Sequence, residues 1–148
     1  MTILRERIET TLPVADAFAF VADFANAERW DPGVASSVRT NPGPVAVGAR
    51  YRLSVRMGGR VVPMDYEVDE LELDRRVVLL GRGSGVFAID EIEFTPIETG
   101  TRIDYTADIR LVGLLRLAAP FAGGALAGVG SRAREGMCLA LDRLAAGA

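Results

Sequence analysis

The chain has 148 residues, 49% of them apolar, and a formal net charge of −3; that is enough to bury one sizeable core and the wrong balance for a nucleic-acid partner. Neither histidine nor lysine occurs, so all 17 basic residues are arginine, which excludes Ser-His-Asp and Cys-His triads, a lysine Schiff base and any histidine-ligated metal. A catalyst drawn from this alphabet has carboxylates, tyrosines and one thiol for proton transfer, with arginine as an electrostatic aid.

The length predicts a single domain over residues 1–148. No apolar run approaches the ~20 residues of a membrane-spanning helix, because Arg116, Pro120 and several glycines interrupt the most apolar part. Met1 to Thr11 is charged and alternating and does not read as a signal peptide, so the expected location is the cytoplasm. Cys138, the one cysteine, is expected to be buried and inert beside an apolar helix stripe. Neither a metal nor an organic cofactor is expected.

In chain order, Ile3, Arg5, Arg7 and Glu9 alternate with Leu4, Glu6, Ile8 and Thr10 as an edge-like first strand with mixed faces. Thr11 as a cap and Pro13 in the first turn predict a short helix with Val14, Ala17, Phe18 and Val21 on one face. Asp23 caps a second short helix that Trp30-Asp31-Pro32 closes.

From Val34 to Leu111 the period becomes two. Val34, Ser36 and Val38 form a short strand before the turn cluster Asn41-Pro42-Gly43-Pro44. Tyr51, Leu53, Val55 and Met57 alternate with Arg50, Arg52, Ser54 and Arg56, and Gly58-Gly59 turns the chain back into Val62, Met64, Tyr66 and Val68. Asp65, Glu67 and Asp69 face the arginines across that pair, an array that reads as a solvated face and not as a metal site. Leu71 and Leu73 change parity relative to Val68, which predicts a bulge in a bending strand. Further strands run over Arg76–Arg82, Val86–Thr95, with Asp90, Ile92 and Phe94 on one side, and Ile103–Leu111, with Ile103, Tyr105, Ala107, Ile109 and Leu111 inward. The last third, Leu114 to about Ala146, reads as one long helix with a stripe of Leu126, Val129, Ala133, Met137, Ala140 or Leu141, and Leu144. Its glycines, Gly123, Gly124, Gly128 and Gly130, either bring backbone close or leave a hollow.

The run Phe18-Ala19-Phe20-Val21-Ala22-Asp23, the triplet Trp30-Asp31-Pro32, Gly48 entering a strand, Gly100-Thr101-Arg102 before the last strand and the long terminal helix together resemble the START-like/Bet v 1-like helix-grip superfamily. Within it they look most like the bacterial polyketide cyclase/dehydratase and lipid-transport-like, SRPBCC-type proteins. The resemblance implies an α+β helix-grip fold: a curved antiparallel sheet of about seven strands wrapped around the terminal helix, with two short helices between the first and second strands. It also implies a deep, mainly apolar cavity. Members of the superfamily bind lipids, sterols or hormones, cyclise polyketides, or serve as regulatory partners, and a fold alone does not choose among these.

The expected cavity wall comprises Tyr51, Leu53, Val55, Met64, Tyr66, Asp90, Ile92, Phe94, Ile103, Tyr105, Phe121, Leu126 and Met137. Asp90 stands out, since a buried carboxylate must be paired or take up a proton. Arg82 near the adjacent turn is the expected partner, unless a bulge turns Asp90 outward. Trp30 reads as a loop anchor more than a ligand contact. Three functions follow: a protein binding a hydrophobic or amphipathic small molecule; a polyketide cyclase or dehydratase using Asp90, Tyr66 or Tyr105 with Arg82; or a regulatory interaction module without ligand. The partner is a hydrophobic small molecule, not nucleic acid or a membrane span, and a homodimer is compatible with the pattern.

Overall fold

A computed structural model describes residues 2–121 and 128–147 of the chain. Seven strands, β1 (Thr2–Thr10), β2 (Val34–Arg39), β3 (Arg50–Met57), β4 (Arg60–Glu72), β5 (Arg76–Gly83), β6 (Val86–Ile97) and β7 (Gly100–Leu111), form one sheet. Its order is β1-β7-β6-β5-β4-β3-β2, every neighbouring pair antiparallel. Between β1 and β2 lie α1 (Val14–Val21), a 3-10 turn (Phe24–Asn26) and α2 (Ala27–Trp30). A long helix, α3 (Val129–Gly147), closes the described chain and packs on β1 and α2. This is the helix-grip fold of Bet v 1 and START proteins.

Alternating polarity explains the sheet. Tyr51, Leu53, Met64, Tyr66 and Val68 are buried, while Arg52 and Asp65 face each other outside with Nε–Oδ1 at 3.0 Å, a cross-strand pair that fixes the register. Gly58 and Gly59 both have positive φ, 54° and 81°, the requirement of the tight hairpin turn whose twist matches the strands. The predicted bulge falls between Val68 and Glu70. Inside, α1 meets the sheet through Phe18, edge-to-face on Phe94 at 5.1 Å between ring centres. Val21, Val77, Leu79, Ile92, Ile103 and Leu141 have no measurable exposure, each such burial contributing about 1.5–3 kcal/mol.

Four local expectations change. The last third is not one helix from Leu114: Gly113–Phe121 is a 3-10 helix, and α3 begins at Val129. Pro120 lacks the donor that an α-helical turn there would use, and Gly128, with φ of 75°, adopts a left-handed conformation just before α3. Thr11 does not cap α1. The cap position is Pro13, without a side-chain hydrogen bond, and the hydroxyl that serves the turn is Thr10, accepting from the Leu12 N–H at 3.2 Å. In β2 a register shift between Val34 and Ser36 turns Ser37 inward and leaves Val38 55% exposed. Cys138 is half-buried, not fully enclosed.

Glycine on α3 acts mainly by close approach. A Cβ on Gly136 would stand 2.2 Å from the Trp30 carbonyl oxygen, so this position lets the helix backbone rest on α2. Gly130 does both things: it borders a hollow, and a Cβ there would come 3.0 Å from Glu6 Oε1.

Candidate functional site

Between the inner face of the sheet and α3 lies a cavity of about 90 Å³. Its sheet side is made by Leu4, Glu6 and Ile8 of β1, Leu53 and Val55 of β3, Tyr66 of β4, Ala88 and Asp90 of β6, and Tyr105, Ala107 and Ile109 of β7. Phe24, Ala27, Trp30 and Asp31 close it from the short helices, and Val129, Ala133 and Met137 from α3. The wall is mostly apolar with a few converging polar groups, the usual character of a small-molecule site.

Four aromatic rings form a connected arc on this wall. Tyr66 lies 5.4 Å from Phe24, Phe24 lies 6.1 Å from Trp30, and Trp30 lies 5.8 Å from Tyr105, all between ring centres. The tilted and edge-to-face arrangements match the preference of aromatic quadrupoles. Asp90 completes the arc, because the Tyr105 hydroxyl donates a hydrogen bond to its Oδ2.

The room for Tyr66 comes from the strand beside it. Gly81 stands opposite Tyr66 in the β4–β5 register, and a Cβ at Gly81 would sit 2.5 Å from the ring. The absent side chain is what allows the phenol to lie across β5.

Asp90 is 6% exposed. Burial pushes its carboxyl up to about 7, the Tyr105 hydrogen bond opposes the rise, and the charge of Asp31 adds to it. Asp31 is itself raised by burial, against the Gly33 N–H, which donates to its Oδ1 at 2.8 Å, and the nearby Arg132. The hydroxyls of Tyr66 and Tyr105 are held well above the ordinary tyrosine value, first by burial and then by the charge of Asp90.

Of the expected wall residues, Leu53, Val55, Tyr66, Asp90, Tyr105 and Met137 border the cavity. Tyr51, Met64, Ile92, Phe94 and Ile103 are buried in the core instead, away from the cavity lining. They share the inward parity but belong to the packed core, where Phe18 stands against Phe94 and Phe24 near Tyr51. Phe121, as a side chain, and Leu126 lie outside the described residues. Arg82 does not pair with Asp90. It stands opposite Phe87 in the β5–β6 register, with its guanidinium over that ring at 5.5 Å, and borders a separate polar hollow with Thr40, Arg50, Asp65 and Glu67. The reason is parity: Leu79 and Gly81 turn inward opposite Asp90 and Ala88, so Arg82 turns outward.

Sequence reasoning missed Leu4, Glu6, Phe24, Asp31 and Ala133 as wall residues and favoured Trp30 as an anchor over a ligand contact. Trp30 is 3% exposed and serves as anchor and wall at once. The signal that could have found Phe24 and Asp31 is their place on either side of the short helix that carries Trp30.

The family model for polyketide cyclase/dehydrase and lipid transport matches residues 1–147. The chain belongs to this family. No curated protein matches it. Among solved structures, an aromatase/cyclase, Zhui from Streptomyces sp. R1128, aligns with 16% identity over 98% of this chain and 93% of its own, at a TM-score of 0.75. A protein from Thermus thermophilus aligns with 17% identity over 99% and 100%, also at 0.75. A START superfamily protein from Mycobacterium smegmatis aligns with 14% identity over 96% and 98%, at 0.69. At these identities the likeness is one of fold. Among the described residues, no helix is long and apolar enough to cross a membrane.

Proposed function

We propose that residues 1–148 form one domain that works in the cytoplasm and encloses a hydrophobic or amphipathic small molecule between the sheet and α3. The observation that carries this reading is the cavity itself, with Leu53, Val55, Met137 and four aromatic rings as walls and Asp90 with Tyr105 as its polar end. A protein that used this fold only to present a surface would have no need to leave that space open, since unfilled interior volume costs stability. Native mass spectrometry of the purified protein tests the reading. A co-purified adduct of small-molecule mass that is lost on filling the cavity with Ala88→Phe supports it; its absence, together with no uptake of hydrophobic probes, counts against it.

A second reading, cyclase or dehydratase chemistry, is favoured by one observation: a carboxyl held near 7 in hydrogen-bond contact with a phenol, the range in which a group can both take and return a proton. In a dehydration, the Asp90 carboxylate would remove a proton from the carbon beside a ketone, the electron pair left behind would form the new C=C bond as the C–O bond to the β-hydroxyl breaks, and the proton would be returned to that hydroxyl, which leaves as water. Turnover of a β-hydroxy ketone that disappears in Asp90→Asn would select this reading over simple binding.

A further inference from the structure

The deep end of the cavity combines two features that separately are common and together point to one kind of ligand. The first is the arc of Tyr66, Phe24, Trp30 and Tyr105, each ring within 6.1 Å of the next. The faces of such rings carry negative electrostatic potential, strongest for tryptophan. The second is Asp90, at the point where the arc would close. It is 6% exposed, yet among the described residues its one hydrogen-bond donor is the Tyr105 hydroxyl, and no arginine is among the groups that act on its charge.

The other charged groups on this wall do not supply the missing counter-charge. Asp31 is a second carboxylate, and it is Asp31, not Asp90, that feels Arg132. Glu6 adds a third. Arg56 and Arg134 border the cavity, but both are exposed and already donate to backbone, Arg56 to the Pro32 carbonyl at 2.6 Å and Arg134 to the Arg7 carbonyl at 3.3 Å. The deep wall is therefore acidic and aromatic, with no cationic side chain on Asp90; a buried carboxyl in that position takes up a proton when the cavity is empty, and a cation seated beside it would take that proton's place and hold it ionised.

Resting on the reading of this cavity as a ligand site, we infer that its ligand is an organic cation, an ammonium group carried on an apolar body, with the ammonium seated between Asp90 and the faces of Tyr66, Trp30 and Tyr105. The cation supplies the counter-charge that the chain withholds, and the apolar body lies against Leu53, Val55 and Met137.

Choline and its uncharged carbon analogue 3,3-dimethylbutan-1-ol have nearly the same shape and differ in the charge. Trp30 is the one tryptophan in the sequence, so its indole N–H gives a single cross-peak in a nitrogen-15 spectrum of the full chain and reports on this wall directly. Titrated with each probe, the protein should bind choline at least tenfold more tightly than the alcohol, with the indole peak shifting. In Asp90→Asn, which keeps the shape, the preference should fall below twofold. A Val38→Thr variant, altered at an exposed position away from the cavity, should keep the full preference. Equal or tighter binding of the alcohol overturns the inference while leaving the cavity as a ligand site. An undiminished preference for choline in Asp90→Asn, with the indole peak still shifting, overturns the role of Asp90 and with it the inference. No shift with either probe overturns the inference, and the native mass spectrum of the same sample decides separately whether the cavity holds another ligand.

Discussion

Tyr105 and Asp90 are diagonal neighbours on the inner face of the sheet: Tyr105 stands opposite Ile92 and Asp90 opposite Ala107 in the β6–β7 register, and the phenol crosses the gap to donate to the carboxylate. Diagonal positions on one face are within reach of long side chains but too far for short ones, so an aromatic hydroxyl is one of the few groups that can make this contact. The pair needs no loop to hold it. Its geometry is set by the ladder.

That relationship yields the first prediction. The hydrogen bond lowers the Asp90 carboxyl while burial raises it. Removing the hydroxyl in Tyr105→Phe takes away the lowering influence and leaves the burial, so Asp90 should titrate above its wild-type value of about 7. Carbon-13 spectra of the aspartate carboxyls across pH 4–9 measure this, and a downward shift would contradict the assignment of burial as the dominant cause.

Stability should depend on pH through the same residue. Its folded value of about 7 lies above the ordinary 3.8, so between these values the folded state holds a proton that the unfolded state has released. The contribution is complete below about pH 4 and is lost as pH rises through 7, an effect on the order of 4 kcal/mol. Asp31, also raised, acts with the same sign. Denaturant unfolding should show wild-type stability declining from pH 4 to 7, and Asp90→Asn should flatten much of that slope. A slope unchanged in Asp90→Asn would mean that the carboxyl is not buried as described.

Gly81 and Tyr66 give a packing prediction. A methyl group at Gly81 would lie 2.5 Å from the ring, so Gly81→Ala should lower stability by about 1–3 kcal/mol and push the phenol toward the cavity, weakening the uptake of any ligand. Tyr66→Ala is itself destabilising, but Gly81→Ala added to it should cost little further, since contacting sites are not additive. Thermal unfolding of the single and double variants decides it, and full additivity would show that the two residues do not compete for the same space.

Gly136 tests how α3 is seated. Its missing Cβ lets the helix meet the Trp30 carbonyl, which a side chain would approach to 2.2 Å. Gly136→Ala should therefore cost about 1–3 kcal/mol despite alanine's better helix propensity, a fall of several degrees in Tm. Gly147→Ala, where a Cβ would meet nothing within 4 Å, is the control and should leave the Tm unchanged or higher.

Much of this molecule could be read without coordinates. Strand parity, the Gly58-Gly59 turn, the arginine–carboxylate pairs and the bulge after Val68 are local consequences of a period of two, and a period of two is written in neighbouring residues. The inward direction of Asp90, Tyr66 and Tyr105 followed from the same alternation. Alternation says which face a side chain points to, and it does not say what stands on the other side. Ile92, Phe94 and Ile103 point inward like Asp90, yet they meet packed side chains, whereas Asp90 meets open space.

What the sequence determined by itself is therefore the sheet, its faces and the alphabet of its chemistry: with no histidine or lysine present, any proton transfer had to fall to carboxylates and tyrosines. What only the tertiary structure decided is the meeting of Trp30, Phe24 and Asp31, carried on the short helices, with Tyr105, Tyr66 and Asp90 from distant strands, and the turning of Arg82 away from them. Contacts across such long stretches of chain depend on how the short helices and α3 sit on the sheet, a packing of whole surfaces that no local periodicity encodes.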